Sequence, residues 1–277
     1  MTKKRLLGTA AALVFVYAAF CLTVYLRPQL FFYNPSAQKS VLPEDAAYPA
    51  REVYYKAEDG TPLYAWYTKP ARGKPVIVFL HGNSYNVEAF YHKLVPLIKA
   101  GYGTFLPEYR GFGGVEGTIT QAGLEADTRA ALKKLRRLGY SNSRIVLYGM
   151  SLGSYTATYA AAELGGKKPF AGLLLEVPFD SLTNVVRKRV PLPLPLDLIM
   201  RDKYDNRLNI AKIRTPLLIM GAGQDRVVPV ELAQELFALA EGPKELIVYE
   251  RGRHGNLFES ANYKDILTWL ENNEKTR

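Results

Sequence analysis

The sequence predicts an α/β protein with a mainly parallel, doubly wound sheet, preceded by a helix long enough to cross a membrane. Two observations predict the sheet: short apolar runs recur along the chain, and segments with helical periodicity separate them. Repeated strand–helix units of this length need right-handed crossovers, which make the strands parallel and place helices on both faces. The third observation is an uncharged stretch of 21 residues, 6–26, near the N-terminus.

The composition fits one globular domain with a sizeable core. Hydrophobic residues make up 48% of the 277 residues and charged residues 22%, so disorder is not expected. The net charge of +10 suits anionic surfaces such as phospholipid headgroups, but the Lys and Arg residues are scattered and form no stripe with interleaved aromatic residues. We therefore expect no nucleic-acid partner. The single cysteine, Cys21, and the three histidines show no metal-ligand spacing, so we also expect no metal site.

Residues 1–27 are predicted to form a membrane anchor. A helix of 21 residues is about 31 Å long, close to the ~30 Å thickness of the hydrocarbon core. Basic residues occupy positions 3–5, and only Arg27 and Lys39 follow the apolar stretch closely, which places the N-terminus in the cytoplasm and the body across the membrane. In a bacterium this is the inner membrane with a periplasmic body; in a eukaryote it is an endomembrane. A cleaved signal peptide is the alternative, but its apolar region is normally about 7–15 residues long and ends at an A-x-A-like site.

The remaining chain divides into a connection, residues 28–50, and a body, residues 51–277. The connection holds four prolines and little periodicity, which predicts an extended segment. In the body, apolar runs predict strands at 51–57, 62–68, 75–80, 103–108, 144–150, 171–177, 216–221 and 244–250. Helical periodicity predicts helices at 87–100, 123–138, 152–164, 230–240 and 257–272.

An insertion, residues 179–213, interrupts this alternation. Its run 190–196 contains three prolines, which exclude a central strand and a regular helix. The insertion lies between two core strands and therefore passes over the sheet edge. We expect a small lid beside the functional site, because insertions of this length are often functional; an inert loop is the alternative.

The segment Gly149-Met150-Ser151-Leu152-Gly153 fits the pattern G-x-S-x-G. It follows a predicted strand and opens a predicted helix, where a sharp turn leaves no room for side chains at the two glycine positions. Such a turn lifts the Ser151 hydroxyl above the sheet, and the helix N-terminus directs free N–H groups and positive dipole towards a developing oxyanion. Ser151 is therefore the predicted nucleophile; a serine capping an ordinary tight turn is the alternative.

A serine hydroxyl needs a base, and His254 is the predicted one. It lies between the last strand and the last helix, whereas His92 falls in the middle of a helix and His81 directly ends a strand. The base in turn needs a carboxylate that fixes its tautomer, and Asp225 follows the strand 216–221 directly. The chain order nucleophile, acid, base is the one found on this strand–turn–helix arrangement.

Two further acids and a second loop complete the expected site. Glu176 and Asp180 also follow a strand and are the fallback acids, although carboxylates that anchor the lid or face solvent are the favoured interpretation of both. The backbone N–H groups of Asn83 and Leu152 are the predicted oxyanion donors, because one donor should follow the nucleophile and the other should come from the loop after the strand 75–80. His81, at the start of that loop, is expected to pack beneath it.

These motifs resemble the α/β-hydrolase superfamily over roughly residues 50–270, and the α/β-hydrolase fold is therefore expected. The segments that carry the resemblance are His81-Gly82-Asn83, Tyr109 to Gly114, Gly149 to Gly153, Gly221 to Asp225 with Val228-Pro229, and Gly252 to His254. Within the superfamily the chain looks most like the Bem46-like branch, membrane-anchored hydrolases related to the depalmitoylating ABHD group.

The resemblance implies ester or thioester hydrolysis, an N-terminal anchor and no cofactor. It assigns the nucleophile to Ser151, the acid to Asp225 and the base to His254. The segment that usually resembles DYRGxGxSxG has Glu108 in place of its acid and Val115 in place of its serine, which leaves the pocket shape and the substrate open.

The expected activity is two-step acyl transfer on a small-molecule or lipid ester or thioester. A serine peptidase or amidase is the close alternative, since the same triad breaks both kinds of acyl bond. A catalytically idle member that binds a partner through the same cleft is the alternative from another class. The acyl length, the leaving group and the oligomeric state do not follow from the sequence.

Overall fold

The computed structural model describes residues 3–43, 50–166, 168–257 and 262–275. Its strands are β1 Asn34–Pro35, β2 Ala50–Lys56, β3 Pro62–Thr68, β4 Val76–Leu80, β5 Ser84–Tyr85, β6 Gly103–Pro107, β7 Ile145–Met150, β8 Gly172–Glu176, β9 Leu217–Ala222 and β10 Lys244–Tyr249. Its helices are α1 Lys3–Leu26, α2 Gln29–Phe32, α3 Glu88–Lys99, α4 Gln121–Arg137, α5 Leu152–Gly165, α6 Leu182–Arg189, α7 Leu196–Ile199, α8 Arg207–Ile210, α9 Val230–Leu239 and α10 Asn262–Lys275, with a 3₁₀ turn at Asn142–Arg144.

Eight strands form one sheet in the order β10-β9-β8-β7-β4-β6-β3-β2. The pairs from β10 to β6 are parallel, and β3 joins β6 and β2 in antiparallel pairs. This is the predicted fold class, and all eight predicted strands are confirmed within one residue at each end. The antiparallel pair β2–β3 forms a hairpin around residues 58–60.

The sheet is buried between two apolar clusters because its central strands are apolar on both faces. In β4, Val76, Val78 and Leu80 belong to one cluster, while Ile77 and Phe79 belong to the other. Residues of α5 and α9 join the first cluster, and residues of α3 and α10 join the second. Helices on both faces explain the continuous apolar runs, which a sheet with one solvated face would not need. All carboxyl ends of the parallel strands then meet at one edge of the sheet.

The chain between α1 and β2 differs from the expected extended connection. Residues 29–32 form the short helix α2, and β1 pairs in parallel with β5, Asn34 with Ser84 and Pro35 with Tyr85. The amide of Asn34 donates to the carbonyl of Asn83 at 2.9 Å, which attaches this segment to the body. Polar backbone groups that find partners in the body explain the order here. Residues 44–49 of the expected connection lie outside the described residues.

The start of the last helix also differs. The helix was expected from Leu257, but Leu257 lies in a turn and is fully buried in the second cluster. Residues 258–261 lie outside the described part of the chain, and α10 is described from Asn262. Leu257 is apolar because it packs into the second cluster, and this burial, not a place in the helix, explains why it fits the helical period.

The insertion, residues 179–213, contains the short helices α6, α7 and α8. The Pro-rich run 190–196 contains no regular helix up to Pro195, as the prolines predicted, but its last residue, Leu196, begins α7. Helix α1 packs against the insertion: Cys21 and Val24 share a cluster with Leu196, Ile199 and Met200. Among the described residues, α1 is the one helix long and apolar enough to cross a membrane.

Candidate active site

Ser151 sits at a strained turn between β7 and α5. Its backbone has φ 52° and ψ −117°, a conformation that side-chain-bearing residues avoid at a cost of about 1–3 kcal/mol. A Cβ at Gly149 would lie 2.3 Å from the carbonyl oxygen of Gly153, and a Cβ at Gly153 would lie 1.9 Å from that of Leu80. Glycine is therefore required at both positions. The amide of Ser151 donates to the carbonyl of Glu176 at 2.9 Å, which ties the turn to the neighbouring strand.

The three side chains predicted to act together meet above this turn. Nε2 of His254 lies 3.0 Å from Oγ of Ser151, and Nδ1 of His254 lies 2.7 Å from Oδ2 of Asp225. A carboxylate beside Nδ1 places the ring proton on that nitrogen and leaves Nε2 to accept the serine proton. The other carboxylate oxygen of Asp225 accepts from the amides of Val227 at 2.7 Å and Val228 at 2.9 Å, so the acid is fixed from both sides.

Adjacent strands bring the acid and the base together. Asp225 follows β9 and His254 follows β10, and these two strands pair in parallel. Their loops are joined beyond the sheet: the amide of Gly223 donates to the carbonyl of Tyr249 at 2.9 Å, and that of Gln224 to Gly252 at 2.8 Å. A Cβ at Gly223 would lie 2.6 Å from the carbonyl oxygen of Glu250. The two loops thus hold the imidazole against the carboxylate.

The two residues predicted to supply the oxyanion donors, Asn83 and Leu152, lie next to Ser151 in the chain or next to a residue that approaches it. Leu152 is the first residue of α5, so no carbonyl within the helix accepts from its amide. Asn83 follows Gly82, where a Cβ would lie 3.5 Å from Cβ of Ser151. The side chain of Asn83 donates to the carbonyl of Phe32 at 2.7 Å, so the segment after α1 holds this loop. The assignment of the two donors stays a prediction.

Comparison with known proteins gives the family. Residues 75–194 match the family model described as alpha/beta hydrolase fold, and residues 205–261 match the one described as serine aminopeptidase, S33. The protein YfhR of Escherichia coli O157:H7 is 30% identical over 270 residues, which cover 91% of this chain and 92% of that protein. The chain belongs to the α/β-hydrolase superfamily.

One further relative and one solved structure are similar to this α/β-hydrolase. Human ABHD12B is 30% identical over 222 residues, 68% of this chain and 61% of that protein, in agreement with the resemblance to the ABHD group. The crystal structure of the Pyrococcus furiosus esterase Pf2001 superposes with a TM-score of 0.70 and 21% identity, over 87% of this chain and 98% of that one. That likeness concerns the fold.

A buried histidine and glutamate support the Asn83 loop of this α/β-hydrolase. His81 and Glu108 are both fully buried, and Nε2 of His81 lies 3.0 Å from Oε1 of Glu108. Nδ1 of His81 lies 2.8 Å from the carbonyl oxygen of Gly82. The amide of Val87 donates to the other oxygen of Glu108 at 3.0 Å.

The sequence predicted the packing of His81 beneath the loop, but it gave Glu108 no function. Glu108 follows β6, which neighbours β4, and that position was the available signal. An acid at the end of a strand beside the His81 strand can reach His81, whereas the family pattern alone marks it only as a departure.

The two fallback acids are engaged elsewhere. Glu176 accepts from Nζ of Lys93 at 3.0 Å and from the Tyr148 hydroxyl, and both Lys93 and Glu176 are buried. Asp180 accepts from the side chain of Asn184 in α6, and burial raises the pKa of its carboxyl group. The carboxylate of Glu176 therefore joins β8 to α3 and β7, and that of Asp180 holds the start of α6.

A cavity of about 470 Å³ opens over Ser151. Its walls come from the Asn83 loop, α3, the Ser151 turn and the His254 loop, through residues Gly82, Asn83, Ser84, Tyr85, Ala89, Phe90, His92, Lys93, Met150, Ser151, His254 and Gly255. A second cavity of about 600 Å³ lies against residues 224–227 and 253–255. The hydroxyl of Ser151 and the ring of His254 can thus meet a substrate from the first cavity.

Proposed function

We propose that this α/β-hydrolase is a membrane-anchored serine hydrolase that cleaves carboxylic ester or thioester bonds. Ser151 is the nucleophile, His254 the general base and Asp225 the acid that orients the base. The observation that carries the proposal is the pair of hydrogen-bond contacts, 3.0 Å from Ser151 to His254 and 2.7 Å from His254 to Asp225. This is the arrangement that makes a serine hydroxyl nucleophilic at neutral pH.

The reaction proceeds in two steps. Oγ of Ser151 attacks the carbonyl carbon while its proton passes to Nε2 of His254, and the oxyanion accepts hydrogen bonds from the amides of Asn83 and Leu152. The C–O or C–S bond then breaks as His254 donates that proton to the leaving alcohol or thiol. Water repeats the sequence on the acyl-enzyme and releases the acid and free Ser151. Each oxyanion donor contributes about 10²–10³ in kcat.

In this proposal residues 1–27 are the anchor, residues 28–50 connect it, and residues 51–277 form the hydrolase domain on the far side of the membrane from a cytoplasmic N-terminus. The anchor keeps the site close to lipid. The carbonyl of Phe32 accepts from the Asn83 side chain, and Phe32 lies six residues after Leu26, the end of α1. Six residues reach at most about 22 Å. A lipid ester or an acyl thioester at the bilayer surface therefore suits the site as substrate.

Peptide hydrolysis is the second candidate, favoured by the match of residues 205–261 to serine aminopeptidases. An aminopeptidase needs an acceptor, commonly a carboxylate, for the α-ammonium group of its substrate. In the described part of the chain the cavity over Ser151 is lined by no carboxylate, and it includes His92 and Lys93. This lining supports an ester or thioester over a free N-terminal peptide.

The test is hydrolysis of a short p-nitrophenyl ester by the full-length chain in detergent. Ser151→Ala should lose turnover while the melting temperature stays close to that of the wild type. Ser141→Ala is the matched control, because Ser141 is exposed and precedes β7 at the opposite edge of the sheet. A folded Ser151→Ala protein with wild-type turnover would overturn the proposal. Thioester and dipeptide amide substrates, measured beside the ester, separate the two candidates.

A further inference from the structure

The insertion lies alongside the second half of α1. The hydroxyl of Tyr17 donates to the carbonyl of Pro193 at 2.5 Å, although Tyr17 is near the middle of the apolar stretch. Leu192 borders the same stretch, where it forms a groove of about 530 Å³ with Leu13, Val14, Val16, Tyr17 and Phe20. Nearer the end of α1, Cys21 and Val24 cluster with Leu196, Ile199 and Met200.

Helix α2 folds back onto the same part of α1. The rings of Phe20 and Phe31 are in edge-to-face contact, with centroids 5.6 Å apart. We call residues 29–32 and 190–199 together the apolar foot. Its outward side chains include Leu30, 73% exposed, and Leu198, 78% exposed. On a protein domain surrounded by water, exposed apolar side chains of this kind are unfavourable, and they mark a contact site.

The length of α1 decides where the foot lies. From Tyr17 to Leu26 the helix rises by about 13.5 Å, and from Leu7 to Tyr17 by about 15 Å, which is half of the hydrocarbon thickness. A bilayer that ended at the level of Tyr17 would leave Leu22 and Leu26 in water, and each of these side chains is more than half exposed. The hydrocarbon must therefore extend to the end of α1, and whatever packs beside Tyr17 and Cys21 lies in the same layer.

The backbone of the foot suits a medium that offers no hydrogen bonds. The run 190–196 alternates Pro with Leu, and a proline has no N–H to satisfy. The amide of Leu194 donates to the carbonyl of Leu192 at 2.8 Å, and that of Leu196 donates to the carbonyl of Leu194 at 2.8 Å. Few backbone N–H groups of the run 190–196 therefore lack a partner within the protein.

Charged groups gather where the foot joins the body. The guanidinium of Arg201 lies 5.7 Å from the ring centroid of Tyr25, near the end of α1. Asp197 is the one charged residue of the foot itself, and its exposed carboxylate lies 3.8 Å from Nη2 of Arg187 in α6. Asp197 is two residues from Ile199, which clusters with Cys21 and Val24 near the end of α1, so it lies towards the headgroups and not at the level of Tyr17. Tyr and Arg at this level are typical of the headgroup region, where they meet phosphate groups.

We infer that the apolar foot enters the leaflet that α1 leaves, as a monotopic membrane element in contact with phospholipid acyl chains. The inference rests on the proposed membrane anchor. A phospholipid acyl chain fills the groove between Leu192 and α1. The foot also adjoins the site: Arg189, in the helix that leads into it, donates to the carbonyl of Asp225 at 2.9 Å. The active site is thereby held against the bilayer surface, where a lipid substrate can enter without crossing water.

Spin-label accessibility in vesicles tests the inference on the full chain. Cys21 is the sole cysteine, so a Cys21→Ala background accepts single labels. A nitroxide at Leu192→Cys reports the foot, one at Val14→Cys reports the anchor, and one at Leu239→Cys is the aqueous control on an exposed leucine of α9. The vesicles contain phosphatidylcholine with a minority of phosphatidylglycerol. Turnover of the short ester verifies that each labelled protein is folded, and Leu198→Cys replaces Leu192→Cys if the latter fails this check.

At position 192 the accessibility to a water-soluble nickel chelate should be several-fold lower than at position 239, and the accessibility to oxygen should be several-fold higher. A lipid-exposed label at 14 with a water-exposed label at 192 would overturn the inference and leave the anchor intact. Water exposure at both 14 and 192 would overturn the anchor and the inference together. Neither result touches the assignment of Ser151, which the ester assay tests separately.

Discussion

Glu108 orients a peptide group of the candidate site through His81. Oε1 of Glu108 lies 3.0 Å from Nε2 of His81, whose Nδ1 lies 2.8 Å from the carbonyl oxygen of Gly82. That carbonyl belongs to the same planar peptide group as the amide of Asn83, and the C=O and N–H of a trans peptide point in opposite directions. Fixing the carbonyl of Gly82 thus fixes the direction of the predicted oxyanion donor.

Glu108→Leu removes the partner of Nε2 of His81 and should therefore lower kcat for a short ester by about tenfold or more, a loss of at least about 1.4 kcal/mol of transition-state stabilisation. Glu108→Gln should lose less, because its amide can donate to Nε2, leave the ring proton on Nδ1 and keep the contact with the carbonyl of Gly82. KM should change little, because the donor acts on the tetrahedral oxyanion. Glu116→Gln, an exposed acid in the loop after β6, is the control and should behave as wild type. An unchanged kcat with a raised KM would show that Glu108 acts on binding instead.

Asp225→Asn should lower kcat by about three to four orders of magnitude. The amide in its place presents a donor to Nδ1 of His254 and favours the tautomer that cannot accept the serine proton. End-point ester assays at high enzyme concentration measure the activity that remains in this variant. Asp205→Asn, in a surface ion pair with Arg207, is the control. A loss of less than tenfold would remove Asp225 from the proposed triad.

Lys93→Met should destabilise the protein by about 3–5 kcal/mol, because it leaves the carboxylate of Glu176 buried without its cation. Lys93 is 5% exposed and Glu176 0% exposed. The double variant Lys93→Met/Glu176→Gln should recover much of that loss. Lys188→Met, which breaks the exposed pair with Glu235, should change stability by less than about 1 kcal/mol.

Denaturant unfolding of the detergent-solubilised chain measures these four proteins. Equal stability of wild type and the single variant Lys93→Met would contradict the buried-pair account.

Gly153→Ala should abolish ester turnover and lower the melting temperature, because the added Cβ would lie 1.9 Å from the carbonyl oxygen of Leu80. Gly165→Ala lies at the far end of α5 from Ser151, and its Cβ would lie 3.7 Å from the nearest atom, a ring carbon of Phe170, which is an ordinary contact. It should fold and retain turnover. A fully active Gly153→Ala protein would mean that the tight turn at Ser151 is not required.

The sheet and the three meeting side chains could be predicted because their signals are local. Runs such as PVIVFL read as buried strands, and Ser151, Asp225 and His254 each follow a strand whose carboxyl end lies at one edge of the sheet. The Glu108–His81 contact and the Lys93–Glu176 pair join distant parts of the chain. Each is a polar residue in an unremarkable local pattern, so only the fold shows its partner.

The contacts of α1 were unpredictable for the same reason. An apolar stretch is typical of a membrane span whether or not another segment packs against it. The prolines of 190–196 exclude regular structure but do not indicate which segment lies beside them. The short helix α2 also lacked a signal, because four residues are too few for periodicity to be recognised.

The role of Ser151 is measured most sharply by labelling the full-length protein with a fluorophosphonate. The protein is then digested, and tandem mass spectrometry of its peptides locates the labelled residue. A triad centred on Ser151 predicts a single adduct on its Oγ, absent in Ser151→Ala and much slower to form in Asp225→Asn. An adduct on another residue, or ester turnover that persists in the Ser151→Ala protein without labelling, would contradict it.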